Sequence, residues 1–187
     1  DAIILRGRTK MTAEVIAAAK NLKVIGRMGV GVDNIDLNAA KAHNVTVVNA
    51  AVATTLAVAE LAIGMMFALV RELPRADASL KAGQWLKKDF NGMELFGKTL
   101  GVVGFGNIGQ VVSRYASALG MQVLAFDPFR DAMYMHERGV EAVSLDGLLE
   151  RADVITIHTP LTDQNRHQFD DACFSRMKDG VLIVDAA

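Results

Sequence analysis

Residues 100–109 read Leu100-Gly-Val-Val-Gly-Phe-Gly-Asn-Ile-Gly109, and an acidic residue, Asp127, ends the apolar run that follows. Gly104, Gly106 and Gly109 form a G-x-G-x-x-G array directly after a strand pattern, and helical periodicity begins at once. This order of strand, glycine turn, helix, strand and acid is typical of a dinucleotide site. A glycine turn without a ligand is the alternative, and the surrounding pattern disfavours it.

Each part of this array has a physical reason. The first glycine permits a sharp exit from the strand, the second lets the backbone approach a pyrophosphate, and the third lets helix and sheet pack closely. The helix N-terminus presents unpaired N–H groups to phosphates. Asp127 can accept hydrogen bonds from both ribose hydroxyls and would repel a 2′-phosphate, so we predict NAD. Arg130 leaves NADP open as an alternative.

Composition bounds the class of protein. The chain has 187 residues, is 51% hydrophobic and carries a formal net charge of −1, as an ordinary globular protein does. With 20 Lys and Arg against 21 Asp and Glu, we expect no nucleic-acid partner. The single cysteine, Cys173, suits a reducing compartment, so we expect a cytoplasmic protein with Cys173 buried. The apolar stretch 56–70 is too short for a membrane span and predicts a buried or interfacial helix.

A βα rhythm predicts an α/β fold with a doubly wound parallel sheet. The predicted strands are 2–5, 24–27, 45–48, 100–103, 122–126, a weak 140–143, 153–157 and 181–184. The predicted helices are 12–20, 36–43, 55–72, a shorter segment after Pro74 and a run from 170 to 177. We therefore predict a partial substrate domain at 1–51, an interdomain or dimer helix at 52–73, and a partial nucleotide-binding domain of the Rossmann type at 74–187.

Several further motifs occur in one order along the chain: 5–12, 25–36, 57–61, the unit 104–127, 158–161 and 184–187. Together they resemble the D-isomer-specific 2-hydroxyacid dehydrogenase family, with the phosphoglycerate dehydrogenases as the most similar members. The resemblance covers essentially the whole chain. It implies a Rossmann nucleotide domain joined to part of a flavodoxin-like substrate domain.

For the substrate, the resemblance implies that the loop of Gly29, Val30 and Gly31 holds a carboxylate with main-chain N–H groups. A plain turn is the alternative. The resemblance also implies that four cationic side chains surround a substrate phosphate, the last of them reaching across from a neighbouring subunit: Arg6, Lys10, Arg27 and Arg71. Each of these is otherwise an ordinary solvated or ion-paired charge.

For the cofactor, the resemblance implies that Asn107 and Ile108 supply N–H groups under the pyrophosphate. Thr159 and Pro160 would lie beside the adenosine half, with Val30 and Ala186 as further cofactor contacts. His158 is interpreted as a structural residue or an adenosine neighbour and not as the acid–base group. We expect no metal site.

The family's catalytic arginine, glutamate and histidine are expected beyond residue 187, so we expect an inactive fragment truncated at both ends. The complete enzyme would move hydride between a D-2-hydroxy acid and NAD. The preferred substrate is 3-phosphoglycerate, in serine biosynthesis, and glycerate, glyoxylate or hydroxypyruvate are alternatives because Ala51 and Thr54 depart from the family's loop pattern.

Two alternatives to an enzyme stay open. The chain could belong to a dinucleotide-sensing scaffold protein, or it could be a fragment that does not fold independently. We also expect a homodimer or homotetramer formed through the 55–72 region.

Overall fold

The structure is a computed structural model, in which two separate parallel sheets organise the chain. The structure describes residues 1–50 and 52–186. Ala51, one of the two departures noted in the substrate loop, lies outside the described residues. The chain divides into two units, Asp1–Thr55 and Leu56–Ala187.

The first unit contains a three-stranded parallel sheet in the order β1-β2-β3, formed by β1 (Ala2–Leu5), β2 (Val24–Arg27) and β3 (Thr46–Asn49). Two short helices connect the strands, α1 (Ala13–Ala18) and α2 (Leu37–Ala42). Thr12 and Asp36 cap these helices because each side chain accepts a hydrogen bond from an N–H of the first turn. The apolar side chains of sheet and helices form a separate core around Ile16 and Ile25.

The second unit opens with α3 (Thr55–Val70) and α4 (Leu73–Lys81), followed by a 3-10 turn at Lys87–Asp89. One side of α3 packs into the core of this unit through Ala59, Ala62, Met66 and Val70. Within the described part of the chain, no helix has the length and apolarity to cross a membrane.

The sheet of the second unit has five parallel strands: β4 (Thr99–Val103), β5 (Gln122–Phe126), β6 (Glu141–Ala142), β7 (Val154–Ile157) and β8 (Leu182–Asp185). Their order is β6-β5-β4-β7-β8, so the direction of winding reverses beside β4. The connecting helices are α5 (Asn107–Ala118), α6 (Ala132–His136), α7 (Leu145–Arg151) and α8 (Asp171–Phe174). A crevice outside the carboxyl ends of β4, β5 and β7 is where such a sheet binds ligands.

The predicted α/β class with doubly wound parallel strands is confirmed. The prediction of a buried Cys173 is wrong, because its side chain is only partly buried. Its thiol donates to the main-chain oxygen of Gln168 at 2.9 Å, across the turn before α8. The run 170–177 also forms a helix only over Asp171–Phe174, since Asp170 caps its start and a turn follows.

Candidate functional site

The three glycines between β4 and α5 meet different surroundings. A Cβ on Gly104 would lie 2.7 Å from Cγ2 of Thr159 and 2.9 Å from the main-chain oxygen of His158, and the residue has φ of +94°. A Cβ on Gly109 would overlap the carbonyl of Gly104, so helix and loop touch there. A Cβ on Gly106 would meet nothing within 4 Å. The loop is therefore closed at its first and third glycines and open at its second.

The N-terminus of α5 faces that open space. Gly106 is the N-cap and provides no side-chain cap, so the N–H groups of the first turn keep their capacity to bind an anion. Asn107 is exposed and Ile108 is half-buried. These residues fit a dinucleotide pyrophosphate. The N-terminus of α5 lies next to Gly106, where any side chain would fill the space that the pyrophosphate needs.

Asp127 follows β5 directly, and its carboxylate is held by two main-chain donors. Its Oδ2 accepts from the N–H of Phe105 at 2.8 Å, and its Oδ1 accepts from the N–H of Phe129 at 2.8 Å. Each carboxylate oxygen has a second lone pair that these bonds leave available. Asp127 is thus fixed beside the glycine loop with acceptors for two ribose hydroxyls. Arg130 stacks on the Tyr134 ring, with its Cζ 5.2 Å from the ring centroid.

His158, Thr159 and Pro160 follow the carboxyl end of β7. The N–H of His158 donates to the main-chain oxygen of Val103 at 2.8 Å, which continues the ladder between β4 and β7. Asn165 donates to the oxygen of Pro160 at 2.8 Å and holds the loop that leaves the strand. A Cβ added to Gly104 would touch Thr159. His158, Thr159 and Pro160 therefore line the same edge of the sheet as the glycine array.

The His158 ring is half-buried and neutral. Burial lowers its pKa from 6.5 to about 4, and the negative charge of Asp185 opposes this shift. Nε2 lies 2.9 Å from the Thr156 hydroxyl, whereas Nδ1 is buried and has no hydrogen-bond partner among the described residues. A neutral ring bonded to its own strand is compatible with a structural residue or a neighbour of the adenosine, and that interpretation of His158 stays a prediction. Ala186 follows β8 at the same edge and is half-buried.

In the first unit, the loop after β2 is wrapped by Arg27. Its Nη1 donates to the main-chain oxygen of Met28 at 2.6 Å. A Cβ on Gly29, where φ is +148°, would overlap the guanidinium. The N–H of Gly29 already donates to the oxygen of Arg27 at 3.0 Å, so the N–H groups of Val30 and Gly31 are the ones left for a carboxylate. Asn49 donates to the oxygen of Val30 at 2.6 Å and supports the loop from β3.

The cationic residues predicted around the substrate divide between the two units. Arg6 and Lys10 are exposed in the loop after β1, and a Cβ on Gly7 in that loop would lie 3.5 Å from Nη2 of Arg27. The Nε of Arg27 is buried without a hydrogen-bond partner among the described residues. Arg71 belongs to the second unit, where it lines a cavity of about 440 Å³ with Trp85 and Phe90. In the described part of the chain, none of the four cations forms an ion pair.

Sequence reasoning missed one group of side chains at this site. Gln110 donates to the main-chain oxygens of Phe105 and Gly106, and it accepts from Tyr134 and Arg138. The available signal was its position one helical turn after Gly106, because a helical side chain leans back over the preceding turn. The glycine pattern itself does not specify this residue.

Comparisons with known proteins identify the family that the chain matches. Residues 63–187 match the family model described as D-isomer specific 2-hydroxyacid dehydrogenase, NAD binding domain. The whole chain is 50% identical to D-3-phosphoglycerate dehydrogenase of Archaeoglobus fulgidus and covers 36% of that protein. It is 47% identical to hydroxypyruvate reductase of Thermotoga maritima, again over its whole length, and covers 60% of that protein.

Among solved structures, the apo form of D-lactate dehydrogenase from Escherichia coli superposes with a TM-score of 0.86 at 38% identity. The match covers 98% of this chain and 58% of that one. The chain thus spans from about a third to 60% of the length of the relatives it matches.

Proposed function

The chain belongs to the D-isomer-specific 2-hydroxyacid dehydrogenase family, and we propose that it is part of an enzyme that moves hydride between a D-2-hydroxy acid and NAD. One observation carries the proposal. Asp127 is fixed by the N–H groups of Phe105 and Phe129 beside a glycine loop that is open only at Gly106. That arrangement fits the ribose and pyrophosphate of a dinucleotide.

Bound NAD supplies the hydride acceptor, and the protein supplies binding and orientation. In this proposal the first turn of α5, with Asn107 and Ile108, binds the pyrophosphate through main-chain N–H groups. Asp127 accepts hydrogen bonds from the adenosine ribose, and its charge disfavours a 2′-phosphate. Thr159 and Pro160 border the adenosine, and Ala186 at the end of β8 adds a further contact.

For the substrate, 3-phosphoglycerate is our first choice, which would place the protein in serine biosynthesis. The similarity to phosphoglycerate dehydrogenases supports this choice. The main-chain N–H groups of Val30 and Gly31 would take the carboxylate, and the cations Arg6, Lys10, Arg27 and Arg71 would take the phosphate. The similarity to a hydroxypyruvate reductase keeps hydroxypyruvate, glyoxylate and glycerate as competing substrates.

Assembly and location are part of the same proposal. The second unit exposes large apolar side chains on and after α3, so we assign the 52–73 segment to a homodimer or homotetramer interface. Arg71 at the end of α3 would then reach the substrate of a neighbouring subunit. The single cysteine supports a reducing compartment, the cytoplasm.

The proposal is tested by titrating the purified 187-residue protein with NAD and NADP. NADH formation from 3-phosphoglycerate and glycerate is then assayed on the full-length protein, because we expect the 187 residues alone to be inactive. Oxidation of NADH by glyoxylate and hydroxypyruvate completes the substrate panel. We expect Asp127→Ala to weaken NAD binding about tenfold or more, since two ribose hydrogen bonds to a carboxylate are lost. NADP binding should weaken less, because a repulsive charge disappears with the carboxylate.

Asp179→Ala is the matched control, because Asp179 is exposed and belongs to the turn before β8. Equal NAD affinities for the wild type and Asp127→Ala would contradict the assignment of Asp127. Binding of NAD by the full-length protein without turnover of any 2-hydroxy acid would instead favour a dinucleotide-sensing scaffold.

A further inference from the structure

The side-chain amide of Gln110 is bonded on both of its sides. Its Nε2 donates to the main-chain oxygen of Gly106 at 3.1 Å and, more weakly, to that of Phe105 at 3.4 Å. Its Oε1 accepts from the Tyr134 hydroxyl at 3.1 Å and from Nε of Arg138 at 3.2 Å. Gln110 therefore joins the glycine loop to α6 and the residues after it.

Arg138 determines which way the amide faces. A guanidinium only donates hydrogen bonds, so the atom of Gln110 that faces it must be the oxygen. Arg138 is itself fixed, because its Nη1 donates to the oxygen of Tyr134 at 2.9 Å and its Cζ lies 3.6 Å from the centroid of the Tyr134 ring. The NH₂ group of Gln110 is thereby turned toward the glycine loop.

This orientation constrains two peptide groups of the loop. In a planar trans peptide the C=O and the N–H point in opposite directions. When Gln110 binds the oxygen of Phe105, the N–H of Gly106 is turned away from Gln110, and binding of the Gly106 oxygen has the same effect on the N–H of Asn107. These two N–H groups belong to Gly106 and to the residue after it, and an added Cβ on Gly106 would meet nothing within 4 Å.

We propose that Gln110 is a positioning residue of the dinucleotide site, which aligns the N–H groups of Gly106 and Asn107 with the pyrophosphate. The inference rests on the proposed function, because it presumes that a dinucleotide is the ligand. Gln110 itself makes no contact with the ligand in this proposal. Tyr134 and Arg138 act one step further back, by fixing the orientation of the Gln110 amide.

The test measures the Kd of NAD, ADP and adenosine on the purified protein and its variants. Gln110→Met keeps the length of the side chain but has no amide, so it removes all four hydrogen bonds. We expect the Kd values of NAD and ADP to rise about tenfold, the order of a lost charge-assisted hydrogen bond. The Kd of adenosine should change less than about twofold, because adenosine has no phosphate and so does not bind the N–H groups whose orientation changes.

Two further variants separate positioning from simple support. Gln110→Glu keeps the shape and the contact with Arg138 but places an oxygen against both carbonyls, so it should weaken ADP binding at least as much as Gln110→Met does. Arg138→Met changes an exposed side chain, and it should weaken ADP binding by about threefold, since Tyr134 still donates to the amide. Gln122→Met is the matched control, because Gln122 is exposed at the amino end of β5.

Equal losses for ADP and adenosine in Gln110→Met would overturn the inference and leave Gln110 as a structural support only. An unchanged Kd of ADP in both Gln110 variants would overturn it as well. A wild-type protein that binds neither NAD nor ADP would refute the proposed function itself, and the inference with it.

Discussion

At the scale of single residues, Gly106 and Gly109 belong to one motif but serve different purposes. Gly109 packs against the carbonyl of Gly104 and against Val102, whose Cγ1 would lie 3.2 Å from an added Cβ. Gly106 has nothing within 4 Å of an added Cβ, and its φ of −80° suits any L-residue. An alanine at Gly109 therefore disturbs packing, whereas an alanine at Gly106 only fills space that a ligand would use.

We expect Gly109→Ala to affect mainly the stability of the fold and Gly106→Ala to affect mainly the affinity for NAD. We expect Gly109→Ala to lower the free energy of unfolding by about 1–3 kcal/mol, the usual cost of overpacking. Gly106→Ala should leave it within about 0.5 kcal/mol, as for a surface substitution, while NAD affinity falls about tenfold or more. Urea unfolding and NAD titration of both variants check this. Full NAD affinity in Gly106→Ala would contradict the assignment of the pyrophosphate to this position.

His158 links the stability of the fold to pH, because its ring is half-buried and neutral. Burial lowers the pKa of His158 from 6.5 to about 4, against the attraction of Asp185. The unfolded chain therefore binds a proton on this histidine between about pH 6.5 and pH 4 while the folded chain does not. Stability from this group is fully present above pH 6.5 and is lost as the pH falls toward 4.

We expect His158→Asn to flatten that dependence. For the wild type, the contribution of His158 to the free energy of unfolding should fall by up to about 3 kcal/mol across this range, and less to the extent that solvent reaches the ring. Chemical unfolding at pH 7.0, 6.0 and 5.0 compares His158→Asn with His136→Asn, since His136 is exposed on α6. Parallel curves for the wild type and His158→Asn would refute this account of the buried ring.

The site residues also differ in how far sequence predicts them. Asp127 follows from its place after the second strand of a glycine-loop unit, and the structure adds only the two N–H groups that hold it. The orientation of Arg27 against Gly29 depends on a bond from its guanidinium to the neighbouring Met28 oxygen, and the role of Gln110 depends on bonds with Tyr134 and Arg138, far along the chain. No local periodicity encodes such bonds, so they become visible only in three dimensions.

At the scale of elements, helix starts are predicted more closely than helix ends. The predicted helices 12–20 and 36–43 begin at Thr12 and Asp36, and both side chains accept hydrogen bonds from the first turn of their helices. The helix after Thr12 ends at Ala18 instead of at 20, because the capping signal acts at one end and the other end frays into a turn. Local side-chain chemistry thus defines starts more sharply than ends.

Strands show the corresponding limit. The predicted strands 24–27 and 122–126 have the observed bounds, whereas 45–48 and 181–184 are each observed one residue later. Edge position does not account for the shift, because the edge strand β1 keeps its predicted bounds while the inner strand β4 begins one residue before its predicted start. Apolar runs predict that a strand exists more closely than they predict where it begins.

At the scale of the whole molecule, α3 has two different faces. Ala59, Ala62 and Met66 are fully buried in the core of the second unit. Large apolar side chains of α3 and of the segment after it are more than 40% exposed: Leu56, Leu61, Leu69, Leu73, Leu80 and Trp85. Where such exposed apolar side chains join into one patch, the patch marks an interaction site. Packing in the core of the second unit therefore accounts for the buried apolar side chains of α3 but not for its exposed ones.

The homo-oligomer proposed through this region is tested by Leu61→Asp, which places a charge on the exposed face of α3. Leu61 is 57% exposed, so folding should tolerate the change, whereas an interface would have to bury an unpaired carboxylate. We expect light scattering to give a dimer or tetramer for the wild type and a smaller species for Leu61→Asp. Leu37→Asp is the control, because Leu37 is 48% exposed in the first turn of α2, where an acidic residue is favourable. An unchanged mass for Leu61→Asp, or a monomeric wild type, would contradict an interface on this face of α3.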